Sequence, residues 1–199
     1  MPLALFNMPQ DNQQVLTNIE GQLLIAMPGL EDPLFNGSLV FVLEHSREGA
    51  VGIIINKRLE LSIDEVLQQI KTDYKEHKFP QSVLQGGPVS IERGFVLHTK
   101  GNKAWEHQVQ LGDELFLTTS NDILEALANG VDIGPFQLAL GYSGWSEGQL
   151  EEELVNNSWL HVNADNQLLF DTPYDERLHA AASKLGIDYK LLSRSGGSA

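Results

Sequence analysis

The chain has 199 residues, with 13 Lys and Arg against 27 Asp and Glu, a formal charge of −14 and no cysteine. The missing thiols exclude a disulfide scaffold, a cysteine nucleophile, a thiolate zinc site and an iron-sulfur cluster. A hydrophobic content of 42% is enough to bury a core in one domain, or at most two small ones, and no apolar run approaches the roughly 18 residues that span a bilayer.

In chain order, strand signals fall on Gln22 to Met27, Ser38 to Glu44 and Val51 to Asn56, with Met27-Pro28-Gly29-Leu30 between the first two as a type II turn. Ser62-Ile63-Asp64-Glu65 is a capping box, and Ile63, Val66, Leu67 and Ile70 continue it at helical spacing. Strands follow at Gly94 to Thr99 and Leu115 to Thr119. A helix capped by Ser120 carries Ile123, Leu124 and Leu127 to a stop at Asn129-Gly130. Phe136 to Gly141 is a strand. Ser146 and Gln149 suggest a second capping box ahead of Leu150, Leu154 and Val155, with Glu151 to Glu153 as a solvated face. Leu160 to Val162 and Gln167 to Phe170 read as a hairpin across Asn163 to Asn166. Thr172-Pro173 opens a last helix through Leu178, Ala181, Ala182 and Leu185, with Gly186 as its exit. Strands occur both in runs and between helices, which predicts an α+β fold. No linker divides the chain, so one domain over 1–192 is expected, with 193–199 as a loose tail.

Charge is unevenly spread. From Ala104 to Glu176 there is no Lys or Arg, while 14 acidic side chains fall in the same stretch. A duplex binder replaces condensed counterions with Lys and Arg, so this half argues against direct nucleic-acid binding. The amino end, Met1-Pro2-Leu3-Ala4, lacks signal-peptide character, and a cytoplasmic location is expected.

Asp32-Pro33-Leu34-Phe35, Glu44-His45, Gly52-Ile53-Ile54-Ile55-Asn56, Gln85-Gly86-Gly87-Pro88-Val89, Arg93 to His98 and the long block Gly141 to Glu151 together resemble the AlgH/YqgE family, in the same order and over nearly the whole chain. The resemblance implies a single α+β domain whose mixed, mostly antiparallel, bifurcated sheets form a pseudo-barrel flanked by helices. It carries a label of transcriptional regulator and no catalytic residues.

Gly141-Tyr142-Ser143-Gly144-Trp145 invites a serine hydrolase reading, with His45, His98 or His161 as base. However, a nucleophile elbow needs G-x-S-x-G, and position 145 is Trp. No His-x-His, His-x-x-x-His or His-Glu-x-x-His spacing marks a metal site, so no metal or cofactor is expected. Gln85-Gly86-Gly87-Pro88 lacks the lysine of a phosphate loop and reads as close backbone packing. There remains a set of turn residues, Asp32, Phe35, Gly86, Gly87, Tyr142, Trp145 and Gln149. Their aromatic area and polar groups have the composition of a cleft for a protein partner or small ligand.

Overall fold

The computed structural model describes residues 18–71 and 73–195. Ten strands share one sheet: β1 (Gln22–Ala26), β2 (Leu39–Ser46), β3 (Gly49–Ile54), β4 (Arg58–Ser62), β5 (Ser82–Gln85), β6 (Val89–Thr99), β7 (Gln108–Gln110), β8 (Leu115–Thr118), β9 (Phe136–Ser146) and β10 (Trp159–Asn163). The main path runs β10-β1-β2-β3-β9-β6-β8-β7, and β5 branches from β9 to carry β4. All pairings are antiparallel except β5 with β9, which makes the sheet mixed. Curled into a half-barrel and flanked by helices, it is the α+β domain expected from the sequence.

The fork sits on β9. Its first half pairs with β6 through Phe136 to Leu140 and with β5 through Ala139 and Leu140, while its second half, Ser143 to Ser146, pairs with β3. Strands that alternate sides bury both faces here, so the core divides. One cluster, with Phe41, Ile53, Phe95 and Leu97, lies under α4 (Arg177–Lys184) and α5 (Tyr189–Ser195). A second gathers under α1 (Ile63–Ile70) and α2 (Asn121–Ala128), and a third, with Trp145 and Trp159, under α3 (Gln149–Val155).

Local chemistry explains which boundaries the sequence predicts. Ser62 and Glu65 form both halves of their capping box, satisfying orphan amides at the start of α1. Ser120 does cap α2 by position, but its hydroxyl donates to Asp122 Oδ1 and bonds no helix amide. The second box is replaced by something else: β9 runs on to Ser146, Gly148 is the N-cap at φ +73°, and Gln149 Oε1 accepts from the Ser146 amide and hydroxyl. The 27–30 turn forms, with Leu30 N donating to Met27 O at 3.0 Å, yet Gly29 has no positive φ, so it is not type II.

The predicted hairpin is wrong. Asp165 Oδ1 accepts from Leu168 N at 2.8 Å and Asp165 O from Leu169 N at 3.0 Å, which winds Gln167–Asp171 into a π-helical turn that buries both leucines. Thr172 closes that turn by donating to Gln167 O, so α4 starts later, at Arg177, after a Pro173 to Glu176 turn. Arg177 is itself buried, donating to Ile55 O at 2.7 Å and Thr172 O at 3.0 Å beneath the Tyr174 ring. The exit at Gly186 is as expected, with φ +73°. Residues 189–195 of the stretch beyond it form α5, anchored by the Tyr189 hydroxyl donating to Ala26 O at 2.7 Å.

Candidate functional site

The β2 approach turn is built by Asp32, whose Oδ1 accepts from Leu34 N at 2.8 Å and Phe35 N at 3.3 Å. Lys57 Nζ reaches across to the carbonyls of Leu34 and Asn36. Burial lowers the Lys57 pKa, with the charge of Asp32 opposing it. So held, the Phe35 ring lies 6.0 Å from Trp145 and 5.7 Å, edge-on, from Trp159; the two indoles meet edge to face at 5.9 Å.

One carboxylate ties this corner together. Glu153 Oε2 accepts from Trp145 Nε1 at 2.9 Å and Trp159 Nε1 at 2.7 Å, and its Oε1 accepts from Gln149 Nε2 at 2.9 Å. Four of the seven predicted residues, Asp32, Phe35, Trp145 and Gln149, thus share one corner. Trp145 and Trp159 are 6% and 2% exposed, so the indoles are its floor. Asp32 and Gln149 are exposed at this corner, and Glu147, just before α3, and Glu152, on it, are exposed as well.

Sequence reasoning missed Trp159 and Glu153. The Glu151 to Glu153 run is not simply a solvated face: Glu153 binds the indoles and Glu151 Oε1 lies 3.0 Å from His45 Nε2. His45 Nδ1 in turn accepts from Ile19 N at 3.3 Å. The available signal was the four-residue spacing from Gln149 to Glu153, which brings the two side chains together on one helix face.

The other three residues lie elsewhere. Tyr142 points to the opposite face of β9, packing edge-on against Phe95 at 5.8 Å, as alternation along a strand requires. Gly86 and Gly87 run against the β9 backbone. A Cβ on Gly86 would stand 2.2 Å from Gly141 O, and one on Gly87 2.1 Å from Tyr142 C. Backbone contact therefore accounts for both glycines.

Ser143 is fully buried, and its hydroxyl donates to Gly86 O at 3.3 Å. None of the proposed bases reaches it. His45 is engaged as above, His98 bonds Thr99 O and Thr118 Oγ1, both at 2.9 Å, and His161 bonds Gln22 Oε1 at 2.7 Å. Burial also holds the His98 pKa below its ordinary value, against the bond to Thr99. The hydrolase alternative has no support in this geometry.

Surface depressions among the described residues include four of about 330 to 790 Å³, and none of the seven predicted residues lines these four. Among the described residues there is no group of three or more His, Asp or Glu placed to hold a metal ion, and no helix is long and apolar enough to cross a membrane.

Comparison with known proteins places the chain. The AlgH-like family profile matches residues 23–190. A UPF0301 protein of Saccharophagus degradans is 43% identical over 182 residues, covering 92% of this chain and 89% of its own length; another, of Vibrio parahaemolyticus, is 43% identical and is covered completely. The solution structure of the AlgH protein from Pseudomonas aeruginosa is 41% identical and superposes with a TM-score of 0.75, covering 94% of this chain and 99% of that one. A Corynebacterium diphtheriae protein shares the fold alone, at 19% identity and a TM-score of 0.71 over 88% of this chain and 92% of its own. The chain belongs to the AlgH-like family, whose members are uncharacterised, and these relatives bring no activity with them.

Proposed function

We propose that the protein is a cytoplasmic, non-enzymatic binding protein, and that its partner is a protein with a basic surface that docks on the corner above Trp145 and Trp159. The observation that carries this reading is an exposed acidic ridge without an internal counter-charge. The only ion pairs among the described residues are His45 with Glu151 and Lys184 with Asp165, which leaves Glu147 and Glu152 unneutralised. Beside them the Phe35 edge and Gln149 add apolar and polar contact area to a rigid aromatic floor. A protein partner fits this shape better than a small ligand, because neither the indoles nor Phe35, Gln149, Glu147 or Glu152 lines the four depressions. Any effect on transcription is then indirect, through that partner, since the acidic half repels duplex DNA.

The test is affinity capture from native cytosol with the wild-type chain and a Glu147→Lys/Glu152→Lys variant. A partner held by the wild type, released by moderate salt and lost in the charge-reversed variant is the expected result. Equal capture by both chains would overturn the reading, as would a sequence-specific duplex DNA complex that survives competitor DNA.

A further inference from the structure

Two Asn-Gly steps occur in described turns of the chain, Asn36-Gly37 and Asn129-Gly130; both asparagines are exposed, Gly37 is half-buried, and both glycines are left-handed, at φ +66° and +75°. Their hydrogen bonding differs. Asn129 Nδ2 donates to Glu125 O at 2.7 Å, its Oδ1 accepts from Lys71 Nζ at 2.6 Å, and Gly130 N donates to Leu127 O at 2.9 Å. Both reacting groups of that step are tied up. At the other step the Asn36 side chain and the Gly37 N–H have no hydrogen-bond partner among the described residues. The Asn36 carbonyl, which belongs to the same peptide unit as the Gly37 nitrogen, accepts from Lys57 Nζ at 2.9 Å.

We propose that Asn36-Gly37 is a site of spontaneous covalent modification, where the side-chain amide converts to a carboxylate through a cyclic imide. The Gly37 amide loses its proton to solvent base, and its nitrogen attacks Asn36 Cγ. The bond from Cγ to the side-chain nitrogen breaks, and that nitrogen leaves as ammonia, taking up a proton. Water then opens the five-membered imide: attack at the side-chain carbonyl leaves an ordinary aspartate in place of the asparagine, and attack at the main-chain carbonyl leaves isoaspartate, with one extra methylene in the backbone. Glycine presents no Cβ to hinder the approach. The Lys57 ammonium on the Asn36 carbonyl stabilises the negative charge that forms on that peptide unit when its N–H ionises, so it promotes the first step. Phe35, packed on Trp145 and Trp159, adjoins the lengthened link, so the product also loosens the aromatic corner.

The experiment incubates the full chain in mildly alkaline buffer. Peptide mass spectrometry, with fragmentation that separates aspartate from isoaspartate, then reads conversion at both positions. The folded chain is expected to convert at Asn36 on the order of tenfold faster than at Asn129, the margin that one or two hydrogen bonds confer. In a urea-unfolded chain the two rates should converge. Equal folded rates, a faster rate at Asn129, or no product at Asn36 when the unfolded chain reacts at both would overturn the proposal. Lys57→Met should slow Asn36 without changing Asn129, and Lys57→Arg, which keeps the cation, should retain the wild-type rate. Unchanged conversion in Lys57→Met, or slowing by both variants alike, would remove Lys57 from the step.

Discussion

Two regions of β9 are held by opposite means. Around Gly141 to Ser143 the strand is fixed by bare backbone: Gly86, Gly87 and Gly141 close on one another so tightly that a methyl group at any of them would stand 2.1 to 2.5 Å from a main-chain atom. A few residues on, at Trp145, the same strand is fixed by large side chains converging on the Glu153 carboxylate. The first region tolerates no added volume and uses almost no polar chemistry. The second tolerates some change of shape but depends on one acceptor. The proposed docking corner rests on the second, where exposed polar groups stand on a rigid support.

The largest effect should come from adding volume at the crossing. Gly87→Ala forces a methyl group onto the Tyr142 carbonyl carbon, and because backbone must move, a loss of at least about 3 kcal/mol is expected. Chemical denaturation checks it. A native-like midpoint would mean that β5 and β9 are free to separate, and that the two regions differ less than their geometry states. Removing volume at the aromatic corner comes next: Trp159→Ala should cost about 3 to 5 kcal/mol, read from thermal melts.

Glu153→Ala isolates the acceptor. Both indole N–H groups lose their partner while the rings remain, so about 2 to 4 kcal/mol is expected, with a change in tryptophan emission. Asp64 sharpens the same point elsewhere. Its carboxylate accepts from the Tyr74 hydroxyl and from the amides of His77, Lys78 and Phe79. Burial alone would raise its pKa, but these four donors outweigh burial and hold it below its ordinary 3.8, while burial and the Asp64 bond push Tyr74 up to about 12. A carboxylate depressed in the fold contributes stability that is complete above its unfolded pKa and is lost as pH falls through the folded one. A tyrosine raised in the fold contributes stability that is lost as pH rises from 10.0 to about 12. Asp64→Asn should cost about 1.5 to 3 kcal/mol at neutral pH and flatten the acid limb of a stability profile below about pH 4.

How much of this was legible beforehand follows from the range of the interactions. The Ser62 box, the Gly130 and Gly186 exits and the strands rich in Ile, Leu and Val are decided by neighbours in sequence, and they stand where the sequence puts them. Arg58–Ser62 and Ser82–Gln85 become strands by pairing with each other across α1 and, for the second, with β9, which no local pattern records, and the short Gln108–Gln110 is a strand only by pairing with β8. Asp165 carries a turn signal in either structure, and burial of Leu168 and Leu169 decided for winding over a hairpin. At the site, the aromatic and turn residues were visible as a composition. The convergence of Trp145 and Trp159 on Glu153 was not, because Trp159 reaches the corner on β10, by way of β1, β2 and β3.

The smallest effect discriminates best between the two regions, because Ser143 and Trp145 lie two residues apart on one face of β9. Both are buried, so exposure does not separate them. Ser143 contributes one hydroxyl bond to Gly86 O, at a long 3.3 Å, and Ser143→Ala should therefore cost about 1 kcal/mol. The Gly86 carbonyl keeps a partner in Ile54 N at 2.8 Å, so no acceptor is orphaned. Trp145→Ala removes an indole that meets Phe35, Trp159 and Glu153, and about 3 to 5 kcal/mol is expected. Paired thermal melts decide between them. Should Ser143→Ala prove the less stable variant, the crossing would depend on polar chemistry after all, and its glycines would be a consequence of that bond rather than the cause of the close approach. A fluorophosphonate probe adds an independent check: no labelling of Ser143 is expected in the folded chain, because its hydroxyl is sealed from solvent between β5 and β9.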